Sequence, residues 1–162
     1  MFIYSVRSSA VKLFGVILIA LLCVGIVIGS SDEGTVYASS EGKTVNYGGM
    51  ETKEDRIAFI ESFGLRVDPS SETEESYRLP GEFDRVLSGY NQLQLRQGLD
   101  LTKYKNRKIR HFSYKVTNYD YQGECTVNLY IIRSRIIGCD LSSTEGTGFV
   151  LPLLEIEPDK LK

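Results

Sequence analysis

The chain has 162 residues, of which 42% are hydrophobic and 25% charged, and this composition is typical of one globular domain. With 19 Lys and Arg residues against 21 Asp and Glu residues, the net charge is −2, so the chain lacks the basic excess that nucleic-acid binding requires. One His, three Cys and no Trp leave few side chains for the common catalytic and metal sites.

An uncharged apolar segment near the N-terminus is the clearest signal in the sequence. Residues 13–29 form seventeen consecutive positions without a charged side chain, close to the shortest helix that can cross a hydrocarbon core of roughly 30 Å. Two basic residues lie within residues 1–12, and the acidic residues Asp32 and Glu33 follow the segment. Because positive charge favours the cytoplasmic side, we expect a single-pass signal anchor with a cytoplasmic N-terminus and an extracytoplasmic remainder.

A cleaved secretory signal peptide is the alternative interpretation of this segment. Val36 and Ala38 occupy the two positions at which signal peptidase prefers small side chains, and cleavage near Ala38 would secrete the protein. The apolar segment is longer than the roughly 7–15 residues usual in signal peptides, and about nine residues separate its end from Ala38. These lengths favour an uncleaved anchor.

The segments that flank the predicted domain are polar. Residues 30–51 are rich in Ser and Gly and lack apolar periodicity, which predicts a flexible spacer. Folded structure is expected over residues 52–154, and residues 155–162 are expected to form a loose polar tail. Removing Arg7 and Lys12 from the count leaves 17 basic and 21 acidic residues, so the exported part has a net charge of −4. Overall charge therefore gives it no attraction to anionic lipid or acidic wall polymers.

Two helices are predicted at the start of the domain. Thr52 and Asp55 resemble a capping box, and apolar residues follow at helical spacing. They predict a short helix that ends at Gly64. The acidic residues 70–76 contain no apolar side chain and are predicted to form a surface loop. Pro80 then begins a second helix, whose apolar stripe consists of Phe83, Val86, Leu87, Tyr90 and Leu93.

The second half of the domain has the period-two pattern of β-strands. Apolar and polar side chains alternate through residues 108–117, and β-rich runs follow at residues 125–132 and 136–141 on either side of a hairpin turn. Residues 149–154 are predicted to add a short edge element, because Pro152 interrupts them. This order of elements predicts an α+β domain with two helices packed on one face of an antiparallel sheet of three or more strands.

Residue types that usually carry catalysis are sparse in the exported part. A hairpin places the thiols of Cys125 and Cys139 either on opposite faces or about 13 Å apart, so buried thiols are favoured over a disulfide. His111 is the sole histidine and lies on the polar side of its strand, which favours neither a Cys-His nucleophile nor a zinc site. We therefore predict no metal and no cofactor. Asp100 and Asp140 are the carboxylates that an enzymatic alternative would use.

Aromatic and basic residues are concentrated between Leu101 and Tyr121, as on surfaces that bind a glycan, a peptide or a protein. The alternative is a solvated basic strand edge that resists aggregation. For Asn118, hydrogen bonding to exposed backbone is favoured over a contact with a ligand. The candidate binding residues are Tyr104, Arg110, His111, Asn118 and Tyr119.

Several short motifs resemble the pattern of domain of unknown function 4830, including FG at residues 63–64, YNQLQ at 90–94, GLDL at 98–101 and VTNY at 116–119. The resemblance runs from about Thr52 to Pro152. It implies a short protein of clostridia or related Gram-positive bacteria with an N-terminal membrane segment, and it implies no established activity. At Cys139 the family pattern is expected to have a second Gly, which argues against a thiol chemistry shared by the family.

Three functional hypotheses follow from these features. The first is a non-enzymatic, membrane-anchored extracytoplasmic module that binds a protein or a cell-envelope component through the sheet or its edge. The second is a cell-envelope hydrolase whose carboxylates are brought together by the fold. The third is a partner of another membrane protein, with the anchor helix as the contact.

Overall fold

The computed structural model describes residues 45–162, which form two α-helices and one five-stranded antiparallel sheet. The strands follow one another across the sheet in chain order. One helix, α1 (Lys53–Glu61), precedes the first strand, and the other, α2 (Arg85–Leu95), connects the first two strands. The predicted α+β fold is confirmed, but the two helices pack on opposite faces of the sheet rather than on one face, since their buried residues belong to different hydrophobic clusters. The elements are α1 (Lys53–Glu61), β1 (Thr73–Arg78), α2 (Arg85–Leu95), β2 (Lys108–Val116), β3 (Cys125–Ile132), β4 (Arg135–Ser143) and β5 (Phe149–Leu151).

Several predictions concern residues outside this range. The signal anchor at residues 13–29, the cleavage position near Ala38 and most of the spacer all lie outside the described residues. Over residues 45–162, no helix has both the length and the apolar character needed to cross a membrane.

One face of the sheet carries the main hydrophobic core, and we call it the covered face. Alternate side chains of β2 and β3, among them Phe112, Tyr114 and Leu129, are almost completely buried there. Helix α1 contributes Phe59 and Ile60 to the same core. The predicted capping box begins α1, since the Asp55 amide donates to Thr52 Oγ1 at 3.1 Å and the Thr52 amide donates to Asp55 Oδ2 at 2.8 Å.

A β-bulge in the hairpin of β3 and β4 determines which β4 side chains face which way. The register shifts between Tyr130 and Ile131, so Leu129 pairs with Cys139 and Asn128 pairs with Asp140. Cys139 consequently lies on the covered face together with Cys125, four residues out of register. Both cysteines are buried and free, as predicted.

Helix α2 begins at Arg85 rather than at the expected Pro80, because the Asp84 side chain accepts a hydrogen bond from the Leu87 amide and caps the helix there. Its C-terminal end binds the free edge of β4. The Cys139 amide donates to Gln94 Oε1 at 2.9 Å, and Gln94 Nε2 donates to the Cys139 carbonyl at 3.1 Å. The buried Gln94 side chain therefore replaces a neighbouring strand, since β5 pairs only with residues 141–143.

Residues 73–76 belong to strand β1, so the prediction of a surface loop over residues 70–76 is wrong for them. Strand β1 lies at the edge of the sheet, and its side chains are exposed except for the partly buried Tyr77. Such a strand buries too little surface to need an apolar pattern, so its sequence resembles that of a loop.

Both ends of the described chain pack against the domain. Tyr47 and Met50 contact the core and form backbone hydrogen bonds to the β3–β4 hairpin, so folded contacts begin before the expected Thr52. The tail is also attached rather than loose. Leu161 packs against the core, and the Lys162 amide donates to the Asn118 carbonyl at 2.8 Å. A few apolar and backbone contacts are sufficient for this, although both segments are polar in composition.

Candidate binding groove

The sheet face opposite α1 forms a cavity of about 480 Å³, which we call the groove. Side chains of the first four strands alternate away from the covered face and line it. Helix α2 closes one end only, where its residues Leu87 and Tyr90 reach the cavity. The strand residues of the lining include Thr73, Glu75, Tyr77, Ile109, His111, Ser113, Thr126, Asn128, Tyr130, Asp140 and Ser142.

The end of the groove next to α2 is apolar. Leu79, Ile109 and Tyr130 are buried there as part of a second hydrophobic cluster. The rings of Tyr90 and Tyr130 meet edge to face with their centroids 5.8 Å apart. An apolar group of a ligand can therefore be accommodated at this end of the groove.

A chain of hydrogen bonds crosses the floor of the groove. The Tyr90 hydroxyl donates to Asp140 Oδ2 at 2.5 Å, and Asn128 Nδ2 donates to Asp140 Oδ1 at 2.8 Å and to Ser142 Oγ at 2.9 Å. Asn128 Oδ1 lies 2.9 Å from His111 Nε2. Because the amide nitrogen of Asn128 faces the carboxylate, its oxygen must accept a hydrogen bond from the Nε2–H group of His111. The neutral imidazole then keeps Nδ1 as an acceptor.

The environment of His111 favours the neutral ring. Burial lowers the pKa of His111 below its ordinary value of 6.5, and the opposing effects of Asn128 and Glu75 do not reverse this shift. The imidazole stacks on the Tyr130 ring with centroids 4.7 Å apart and planes 8° from parallel. The position of the ring is therefore set by Tyr130 on one side and Asn128 at its edge.

Asp140 is the most strongly perturbed carboxylate in the groove. Its side chain is 2% exposed, and burial raises its pKa from 3.8 to about 6, although hydrogen bonds from Tyr90, Asn128 and Ser142 partly oppose the change. Both carboxylate oxygens accept a hydrogen bond from the protein. Asp140 therefore fixes the orientation of Tyr90 and Asn128.

Acidic side chains dominate the charged lining of the groove. Glu75, Glu124, Glu145 and Asp140 line it, whereas among the described residues no Lys or Arg does. Lys115 pairs with Glu124 at 2.5 Å, but both side chains of this pair are about half exposed. The groove therefore favours positively charged groups or hydrogen-bond donors over anions.

Only one of the five predicted binding residues, His111, lies in the groove. Tyr104 lines a different cavity, and Arg110 pairs with Glu74 at 3.7 Å outside the groove. Asn118 is buried and bonds to backbone as favoured, accepting from the Arg66 amide at 2.6 Å and donating to the Gly64 carbonyl at 2.9 Å. Tyr119 packs against Phe149 with ring centroids 5.9 Å apart. The five residues therefore do not form one surface.

Asp100 and Asp140, the two carboxylates of the enzymatic alternative, do not lie in the same site. Asp140 is in the groove, but Asp100 accepts hydrogen bonds from the Thr102 amide and the Asn91 side chain outside the groove lining.

The groove residues that were not identified from the sequence include Asn128 and Tyr130. The alternation Thr126, Asn128, Tyr130 along β3 was the available signal for them. Within residues 45–162, no three His, Cys, Asp or Glu side chains are arranged to hold a metal ion.

The fold and groove together define a small α+β domain with one covered and one concave sheet face. The sequence profile of the domain of unknown function DUF4830 matches residues 59–141, just over half of the chain. The protein belongs to this family. No curated protein and no solved structure matches the chain.

Proposed function

We propose that this protein is a membrane-anchored extracytoplasmic binding module whose ligand occupies the groove. The observation that carries the proposal is the cavity of about 480 Å³, whose polar groups are already held in place by one another. Cavities of this size with a few fixed polar groups are typical of ligand sites. The apolar, uncharged residues 13–29 support the anchor, and the basic residues Arg7 and Lys12 before them support its orientation.

The chemistry of the lining favours a ligand that joins a cationic or donor group to an apolar group. Glu75 and His111 Nδ1 offer acceptors, and the end of the groove near Ile109 and Tyr130 offers an apolar surface. A basic side chain of a partner protein, or an amine-bearing component of the cell envelope, has this combination. The ligand class is therefore a protein segment or an envelope component rather than a nucleic acid.

Binding is favoured over catalysis by the way the groove uses its carboxylate. Asp140 is buried and both of its oxygens accept hydrogen bonds from the protein, so its role is to hold the lining side chains in position. A general acid or base needs to reach the proton that it transfers. The groove is therefore assigned to a non-enzymatic module that needs no cofactor.

Site-specific photo-crosslinking tests the binding proposal in native membranes. A benzophenone amino acid replaces Thr126 in the groove, or Glu61 on the exposed surface of α1 as the matched control. We expect an adduct from position 126 in the full-length protein, and none from position 61 or from a truncated chain that ends at Glu51. Adducts that form equally from both positions, or from neither, would contradict a groove ligand.

One observation favours the hydrolase as a second candidate. Asp140, whose pKa is about 6, and His111 share the groove and are connected through Asn128. The test is turnover of wall fragments and peptides by the full-length protein, compared with His111→Gln and Asp140→Asn. Turnover that is lost in both variants, while ligand capture persists, would replace the binding module by the enzyme.

A further inference from the structure

A second cavity, of about 350 Å³, lies at the end of the domain where β3 turns into β4, and its charged lining is entirely basic. We call its four cations the basic patch: Lys103, Arg107, Arg133 and Arg135. All four side chains are on exposed residues. Tyr104, Ile132, Ser134 and Ile137 complete the lining.

The basic patch is not neutralised by the described residues. No salt bridge in residues 45–162 includes any of its four cations. Asp100 does not line the cavity, and the charge of Lys103 is only a minor cause of its lowered pKa, after the Thr102 hydrogen bond. Four like charges around one cavity repel each other, and an anion bound between them would offset this repulsion. The patch therefore has the charge of an anion-binding surface, although the exported part is acidic overall.

The described chain begins beside this patch. The Met50 amide donates to the carbonyl of Ser134 at 2.9 Å, and the Ile136 amide donates to the carbonyl of Tyr47 at 2.8 Å. Residues 45–50 therefore lie against the same hairpin that supplies Arg133 and Arg135. The chain between the proposed anchor and the domain thus reaches the domain at its basic end.

We propose that the basic patch docks on the phosphate groups of anionic lipids in the membrane that holds the anchor. This inference rests on the proposed anchor at residues 13–29 but not on the groove. Fifteen residues, 30–44, separate the anchor from Val45. Fifteen residues can span at most about 50 Å. The patch is therefore kept within reach of the headgroups.

Fluorescence energy transfer between the domain and the lipid headgroups tests this orientation. The full-length protein, with Cys23→Ser, carries a donor dye at Glu82→Cys and is placed in nanodiscs that contain a headgroup-labelled acceptor lipid. Glu82 is exposed, and the neighbouring Gly81 lies beside Asn106, next to Arg107 in the chain. Cys125 and Cys139 are buried and free, so the dye should leave them unlabelled.

The compared membranes are phosphatidylcholine alone and phosphatidylcholine with about 30% phosphatidylglycerol. We expect more transfer in the anionic membrane, and loss of the difference near about 1 M salt, where the Debye length is about 3 Å. The patch variant replaces Lys103, Arg107 and Arg135 by Gln and should abolish the difference. Each lost cation should weaken docking roughly fivefold.

A matched variant controls for net charge by removing three cations from the opposite end of the sheet: Arg66→Gln, Lys160→Gln and Lys162→Gln. It should behave like the unmodified protein. Equal energy transfer in the two membranes would overturn the proposal, and so would equal losses of transfer in the two variants. The proposal would also be overturned if transfer rose in the anionic membrane only after Asp32, Glu33 and Glu41 were replaced by neutral residues. Incorporation into the nanodiscs is measured separately and reports on the anchor itself.

Discussion

The two faces of the sheet are built from the same strands but do different work. On β3, Leu129 points into the covered face and is 0% exposed, whereas its neighbour Asn128 points into the groove and is half-buried. The larger of the two hydrophobic clusters lies on the covered face, and its apolar burial stabilises the fold. Polar side chains on the second face stabilise the fold less than apolar side chains would. The groove that they line is available to a ligand.

The largest expected effect tests whether the covered face carries the stability. Leu129→Ala removes a completely buried side chain and should lower the free energy of unfolding by about 2–5 kcal/mol. Urea unfolding followed by tyrosine fluorescence measures the change, since the chain has ten Tyr and no Trp. Thr126→Ala, on the groove side of the same strand, should cost about 1 kcal/mol or less. Similar losses from both variants would remove the distinction between the faces.

The second expected effect concerns the energetic cost of the groove. Asp140 has its pKa raised from 3.8 to about 6, so between these pH values the folded protein binds more protons than the unfolded chain. Stability from this group therefore falls as pH rises through that window, by about 3 kcal/mol in full. Asp140→Asn keeps a donor and an acceptor in place and should abolish this slope when unfolding is measured from about pH 4 to about pH 8.

Asp100→Asn is the control for this titration and should act in the opposite direction. Its hydrogen bond from the Thr102 side chain is the main cause that lowers the pKa of Asp100. A lowered carboxyl pKa gives stability that is present at neutral pH and lost as pH falls. If Asp140→Asn leaves the pH slope unchanged, the carboxylate is not desolvated and its ionisation does not lower the stability of the fold.

The third expected effect concerns the attachment of α2, which closes one end of the groove. Gln94→Ala leaves the amide and one acceptor position of Cys139 without the side-chain partner and should cost about 1–3 kcal/mol. Gln92→Ala, on the exposed side of the same helix, should cost about 0.5 kcal/mol or less. Hydrogen exchange of the Cys139 amide measures the change locally, and it should accelerate only in the first variant. Unchanged exchange would show that Gln94 does not replace a strand.

The helices and the central strands could be predicted because their signals are local. The capping box of Thr52 and Asp55, and the alternation along β2, are visible in a few consecutive residues. The groove could not be predicted in the same way, because it depends on register between strands. Without the extra residue of the β-bulge, Cys139 rather than Asp140 would lie opposite Asn128. That pairing places the carboxylate beside the amide that bonds His111.

The smallest expected effect concerns His111, which the sequence did suggest as a binding residue. It is the sole histidine, so one imidazole signal reports its titration by nuclear magnetic resonance. Burial lowers the pKa of His111, so the measured value should lie below 6.5 in the folded protein and return to about 6.5 in urea. The stability linked to this group is lost as pH falls below about 6.5, the opposite sign to that of Asp140.

Glu75→Gln sharpens this last measurement, because the Glu75 carboxylate acts on the ring from the neighbouring strand and raises the pKa of His111. Removing the charge should lower the histidine pKa further. Glu74→Gln, whose side chain pairs with Arg110 outside the groove, is the matched control and should leave it unchanged. A drop in both variants would show a general charge effect. A drop in Glu75→Gln alone would show that Glu75, which pairs with His111 between β1 and β2, acts directly on the imidazole. The charge of a ligand in the groove and the pKa of His111 would then be coupled through Glu75.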